Sequence, residues 1–229
     1  MPPRILAPQL ESSAPLAASC FTLGPAIWWI AEYWASRGYY PSYSYIGNFT
    51  SDLAVPYPFA ERPHGRKVNS TRASFMKYAF YAKAIIFAVG NLAFLRATTP
   101  SEKTGSALVI GRGVAALTYS AGMLMFATVP GGPREHEDKS VFWHSIGGAM
   151  SMIGGNLSSI LLARAETDPN LRRYFTIVGS SGLFNIIIFI LNGRTKVKGL
   201  WQRGTIYTVQ AFEIATACLL WSQIAQAKR

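Results

Sequence analysis

The sequence predicts an all-α integral membrane protein, a bundle of about six transmembrane helices with an aromatic-rich long loop after the first. Three observations carry this prediction. Hydrophobic residues make up 50% of the chain. Charged residues make up only 14%, where a soluble domain has about 25%. Apolar runs of about 20 residues, the length that crosses a bilayer, recur with short polar gaps between them. They fall at about 16–35, 73–96, 107–130, 141–164, 173–192 and 204–226. Six helices make one bundle, so 16–229 reads as a single domain and the Pro-rich stretch 1–15 as a disordered tail.

The tail does not have the form of a cleaved signal. Its basic region is Arg4 alone, offset by Glu11, and the apolar run that follows carries Trp28, Trp29 and Glu32. That run closes on Trp28-Trp29-Ile30-Ala31-Glu32-Tyr33-Trp34, an aromatic belt of headgroup depth with one carboxylate inside it. The loop over 36–72 is the longest. Its stretch from Tyr39 to Leu53 is too aromatic for a solvated loop. It is expected to fold back over the bundle, with a short helix capped by Thr50 or Ser51.

Helix two carries Lys83 and, deeper, Asn91; helix three has Arg112 in its first turns. Pro130-Gly131-Gly132-Pro133 then turns the chain into its densest ionisable run, Arg134 to His144. A helix starting near Pro133 places His136, Ser140 and His144 on one face at i, i+4 and i+8. Gly147 or Gly148, Ser151 and Gly155 continue that face, and Asn156 lies well inside helix four. Helix five follows Asp168-Pro169-Asn170, a helix-starting signal, and holds Asn185 and Asn192. Helix six follows the basic gap Arg194–Arg203 and places Glu213 well within its length.

The net charge of +11 does not indicate nucleic acid, because the basic residues are scattered over several loops with no aromatic-basic module. They divide almost evenly between the two sides of a six-span bundle, which leaves its orientation open. Cys20 and Cys218 lie within predicted spans and read as small buried hydrophobes. Asn48-Phe49-Thr50 and Asn69-Ser70-Thr71 are glycosylation sequons, usable only if the long loop is lumenal. The chain has no serine-hydrolase elbow, phosphate loop or dinucleotide fingerprint, and no paired halves of the transporter kind.

The unusual polar residues converge on one half of the bundle. Glu32, Asp52, His136 and His144 sit at the long-loop side, Asn185 and Asn192 lie toward it, and Lys83 and Glu213 fall roughly 15 Å below it at 1.5 Å per residue. Ionisable groups at depth mark a site or line a cavity. Two readings stand for each. Lys83 and Glu213 either neutralise one another as a structural pair, or Glu213 stays protonated in an apolar pocket as an acid. The Gly/Ser strip of helix four is either close helix packing or a substrate groove. His136 and His144 with nearby acids form a candidate metal pair, although their spacing matches no compact zinc signature; no metal and no cofactor are predicted.

The stretch Tyr43 to Leu53, the turn leading to His144, and Gly154-Gly155-Asn156 resemble a large uncharacterised family of multi-spanning membrane proteins, one of the numbered domain-of-unknown-function groups. Its members have Asn-x-x-Ser-Asp-Leu after the first span, and a His followed by Gly-Gly-Asn in the fourth. Asn48, Ser51, Asp52 and Leu53 fit the first pattern, and His144, Gly154, Gly155 and Asn156 the second. The resemblance implies the fold but no reaction, and Glu213 is not among the features it covers. More loosely, the architecture is similar to small integral-membrane terpene cyclases of meroterpenoid pathways. In those, a carboxylic acid protonates an epoxide or olefin of a prenyl chain.

Taken together, these readings lead to an expected membrane enzyme acting on a lipid or prenyl substrate by acid-initiated cyclisation or isomerisation in a polar-lined chamber. Glu213, Asp52 or Glu32 is the expected acid, and His144 orients it or receives a proton. Asn48, Tyr45, Lys83, Asn156, Asn185 and Trp143 are the expected substrate contacts, with aromatic faces for cationic intermediates. Two alternatives stay open: a non-catalytic lipid-binding or membrane-organising protein, and a metal-assisted lipid hydrolase using His136 and His144.

Overall fold

The structure is a computed structural model, and it describes residues 13–61, 66–98, 106–192 and 195–228. Helix α1 spans Ser13–Ser36, α2 Ala73–Ala97, α3 Ser106–Thr128, α4 Pro133–Glu137, α5 Val141–Ala165, α6 Pro169–Asn192 and α7 Lys198–Ala227. Strands β1 (Tyr39–Tyr40), β2 (Phe59–Glu61) and β3 (Arg66–Ser70) and a 3-10 turn at Thr50–Ala54 lie in the long loop. The tail expected over 1–15 lies outside the described residues as far as 12, and α1 takes up 13–15.

The six long helices close into a ring in sequence order: α1 packs on α2, α2 on α3, α3 on α5, α5 on α6, α6 on α7, and α7 back on α1. Five of them, α1, α2, α3, α5 and α6, are long and apolar enough to cross a membrane. The predicted sixth span is helical and 30 residues long, but it does not meet that standard of composition. Its buried positions include Gln202, Arg203, Gln210 and Glu213, so α7 brings polarity into the bundle where the others bring apolar surface. The chain is an integral, multi-pass membrane protein, with about five such helices among the described residues where the sequence predicted six.

Small residues set the closest approach. A Cβ at Gly122 of α3 would lie 2.5 Å from both the Gly147 carbonyl oxygen and the Ser151 nitrogen of α5. One at Gly154 would lie 2.6 Å from the Tyr119 nitrogen. The Gly/Ser strip of α5 is thus a packing face against α3, where backbones touch because side chains are absent. Ridges of aromatic rings fill the rest of the interior: Phe21 meets Phe94 and Phe212 edge-on, and Phe87 meets Tyr119. The most open helix is α6, which leaves Phe184, Ile187, Ile190 and Leu191 exposed. Cys20 is buried as expected, but Cys218 is exposed on α7.

The long loop folds back on the bundle as its aromatic content predicted. It also forms a small antiparallel sheet in the order β1-β3-β2, with Tyr39 opposite Ser70 and Phe59 opposite Val68. Neither Thr50 nor Ser51 caps the 3-10 turn. Asp52 instead reaches back, its Oδ2 accepting the Phe49 N–H at 2.9 Å.

Gly122→Ala is expected to lower the unfolding free energy by about 1–3 kcal/mol, because backbone atoms on the facing helix cannot give way. Gly113→Ala, whose Cβ would meet only Leu95 at 3.8 Å, is expected to be neutral or to stabilise by up to about 1 kcal/mol through helix propensity. Thermal unfolding of both variants in one detergent measures the contrast.

Candidate functional site

The predicted site residues separate into distinct networks. The largest lies where the long loop meets α1 and α7. Arg203 projects from the second turn of α7, and Glu32 from the last turns of α1. The guanidinium donates from Nε to Glu32 Oε1 at 3.0 Å, with Nη2 2.9 Å from the same oxygen. Its Nη1 reaches the carbonyl oxygens of Tyr45 at 2.6 Å and Asn48 at 2.8 Å, and Nη2 donates to the Tyr43 hydroxyl. Tyr43 and Tyr45 set their rings against the same cation, at 5.2 Å and 4.9 Å. Glu32 is 2% exposed. Its Oε2 accepts the Tyr207 hydroxyl at 2.9 Å, and Thr50 lies 3.4 Å from Oε1.

This network ties down one end of the loop. Gln202, beside Arg203, accepts the Thr50 N–H at 2.7 Å. The Asn48 side chain accepts the Ser44 N–H at 2.8 Å and closes the turn that presents its carbonyl to Arg203. Gly199 allows the contact, since a Cβ there would lie 2.2 Å from the Asn48 carbonyl oxygen. Burial pushes the Tyr43 phenol well above its usual range in spite of the cation beside it, so it stays a neutral donor to the Phe49 carbonyl.

The second network is deeper. Lys83 of α2 and Glu213 of α7, both 0% exposed, form an ion pair. Lys83 also donates to Gln210 Oε1 at 2.7 Å. Glu213 leans on the backbone of α1 at Gly24, where a Cβ would sit 2.6 Å from its Oε1. That oxygen and Gln210 Nε2 have no hydrogen-bond partner among the described residues. A third network clasps α5, α6 and α7. Asn156 donates to the Met152 and Thr205 carbonyls and accepts from Thr208, while Thr205 donates to the Gly182 carbonyl. Asn185 bonds the Ser181 carbonyl and packs on Gly204.

The histidines do not share a helix face. Asp138 accepts the Ser140 N–H at 2.8 Å, and Lys139 between them takes φ 65°. That local turn competes with the helix and breaks it between α4 and α5. His136 is left exposed on α4. His144 stacks on Phe126, and its Nδ1 meets the Val129 carbonyl at 2.7 Å, so Nδ1 carries the proton. Its ring fills the space over Gly131, where a Cβ would fall 2.8 Å from Nε2. Tyr57 of the long loop donates to Glu135 beside the same turn, and burial, then that bond, pushes its phenol up. Trp143 is 54% exposed, with its ring edge-on to that of its neighbour Phe142. No group of three or more His, Cys, Asp or Glu side chains able to hold a metal occurs among the described residues.

Sequence reasoning missed Arg203, Tyr43, Gln202 and Gln210. Arg203 was placed in the basic gap before helix six, and the helix in fact begins at Lys198. The available signal was the run Gln202-Arg203 leading into a segment with Gln210 and Glu213, the pattern of a helix polar on its inner face. A cavity of about 20 Å³ lies among Trp28, Tyr119, Met152, Thr205 and Val209, which is room for about one water molecule.

Residues 22–219 match the model of a family described as "Protein of unknown function (DUF998)". The matched region contains both segments on which the resemblance in the sequence rests. No curated protein and no solved structure matches the chain.

Arg203→Leu is expected to cost about 3–5 kcal/mol, because it strands the buried Glu32 carboxylate. Arg203→Lys is expected to rescue little, since an ammonium cannot span one carboxylate and two carbonyls as the guanidinium fork does. Tyr207→Phe removes one hydrogen bond to a charged group and is expected to cost about 1.5–3 kcal/mol. Hydrogen exchange over residues 43–54 checks this ranking.

Proposed function

The chain belongs to the DUF998 family, and we propose that it is a non-catalytic lipid-binding or membrane-organising protein in which the buried ionisable residues form a structural network. One observation carries this reading: each carboxylate that the sequence offers as an acid already accepts hydrogen bonds from the fold. Glu32 is held by Arg203 and Tyr207, Asp52 by the Phe49 backbone, and Glu213 by Lys83. The surface supports the lipid half of the reading. Trp29, Tyr33 and Trp34 are exposed on α1 in the manner of headgroup-level anchors, and α6 presents Phe184, Ile187, Ile190 and Leu191 outward.

A second reading, a lipid or prenyl cyclase or isomerase of the terpene-cyclase kind, is favoured by one feature. Glu213 keeps an oxygen without a donor among the described residues, in an apolar bundle. An acid of that kind is what protonation of an olefin or epoxide uses. The metal-assisted hydrolase has no comparable support, since His136 and His144 lie on different helices.

Paired variants separate the first two readings. Glu213→Gln is expected to lower stability by about 3–5 kcal/mol by leaving Lys83 without its counter-ion. Lys83→Met combined with Glu213→Leu is expected to recover most of that loss, because an apolar pair of similar volume avoids the desolvation penalty. Thermal unfolding and retained lipid in nanodiscs are the readouts. Turnover of a prenyl or lipid mixture by the wild type, lost in a double variant that is fully stable, would establish the enzyme instead.

A further inference from the structure

We propose that Arg112 forms a binding site for the phosphate of an anionic membrane lipid, at the end of the bundle away from the long loop. The inference specifies the lipid of the proposed function and rests on that reading. Among the buried cations, Lys83 has Glu213 and Arg203 has Glu32. Arg112 of α3 is 8% exposed. Its guanidinium lies over the Phe94 ring of α2, 4.8 Å from the centroid. Among the described residues no carboxylate pairs with it and no acceptor meets its N–H groups, and its nitrogens are not among the fully buried unsatisfied atoms, so the guanidinium opens to the outer surface of the bundle.

A guanidinium stays protonated in proteins, and a cation set among apolar helices at a membrane-facing surface without a partner is unfavourable. A phenyl face returns only about 0.5–2 kcal/mol. The group therefore calls for an anion with several acceptor oxygens. Phosphate matches the guanidinium fork with two parallel hydrogen bonds.

The placement indicates a lipid as the source. Arg112 is six residues from the first residue of α3, or about 9 Å at 1.5 Å per residue. Its side chain leans back toward that helix start. From such a position near a span end, a long arginine side chain can snorkel to the phosphate and glycerol layer. The N-terminal end of α3 adds a favourable dipole. Arg96 in the last turn of α2 and Arg164 in the last turn of α5 are exposed at the same end. Of the described acids there, Asp168 caps α6 through Asn170 and Leu171, and Glu166 Oε1 accepts the Thr167 and Asp168 N–H groups while its Oε2 has no partner among the described residues; neither carboxylate pairs with Arg112. Such an excess of cations disfavours a choline headgroup and favours a net-negative one.

Native mass spectrometry of the full chain, released from vesicles of phosphatidylglycerol and phosphatidylcholine in equal amounts, tests the site. The wild type is expected to retain phosphatidylglycerol with about ten-fold preference, as one charge-assisted contact would give. Arg112→Gln is expected to abolish the preference and Arg112→Lys to weaken it, while Arg37→Gln, an exposed loop-side change, leaves it intact. Should Arg112→Gln not fold, an unchanged preference in Arg112→Lys overturns the bidentate site. Equal retention of both lipids by the wild type overturns the inference but leaves the proposed function standing, whereas retention of neither overturns both. Thermal stabilisation by inorganic phosphate alone, equal to that by phosphatidylglycerol, would assign the site to a free anion. Loss of stability in Glu102→Gln equal to that in Arg112→Gln, in lipid-free detergent, would assign the counter-ion to Glu102, which lies outside the described residues, and overturn the site.

Discussion

The contact between Arg203 and Glu32 is the constraint on which the closed end of the molecule depends. It joins the end of α1 to the start of α7, the two helices that complete the ring, and it does so under the long loop. The same guanidinium organises the loop itself, because two of its donors end on the Tyr45 and Asn48 carbonyls. A loop backbone brought down onto a bundle must find partners for the carbonyls it buries. Arginine supplies several from one fixed fork, which no other side chain does. The aromatic residues around it then have a physical role beyond bulk: Tyr43 and Tyr45 cover the cation and keep water from competing for it.

Deeper in the bundle the same problem recurs without water as a fallback. Apolar contact between helices gains little over contact with lipid tails, so association rests on close packing and interhelical hydrogen bonds. The structure pairs these two devices. Gly182 brings α6 so near α5 that Asn156 Oδ1 occupies the place of its missing Cβ, and Thr205 closes the clasp on the Gly182 carbonyl. Gly24 does the same for Glu213 against α1. Each glycine stands where a polar group from a neighbouring helix needs the room. Helix α7 carries most of those polar groups, which explains why it is too polar for a membrane span by composition and yet belongs to the ring.

Much of the fold was legible in the sequence because it rests on segment length and hydropathy, and these survive without knowledge of tertiary contacts. The five apolar helices fall within a few residues of their predicted limits. The fold-back of the Tyr39 to Leu53 stretch was legible for the same reason, since rings in such number cannot stay in water. What failed was the reading of helix starts and side-chain pairing. The face shared by His136, Ser140 and His144 required an unbroken helix, and the Asp138 to Ser140 turn, a local hydrogen bond that overrides periodicity, removes it. Arg203 was invisible as a site residue because a cation at a helix start reads as loop charge until its partner, 171 residues away in sequence, is known. The pairing of Lys83 with Glu213 was one of the two readings that the sequence offered, because an ionisable group at that depth needs either a counter-charge or a neutral form.

The division of labour between the two ends follows from these pairings. At the loop end Arg203 and Glu32 supply each other's counter-charge, and the tyrosines around them seal the contact. At the opposite end, Asp168 caps a helix and Arg112, among the described residues, is recorded only against the Phe94 ring. A fold that so consistently provides counter-charges for Lys83 and Arg203 does not leave a third buried cation alone by accident of packing, because an apolar side chain at that position would avoid the cost altogether. The environment that surrounds this end in a membrane is rich in phosphate, the chemical type of the partner proposed for Arg112.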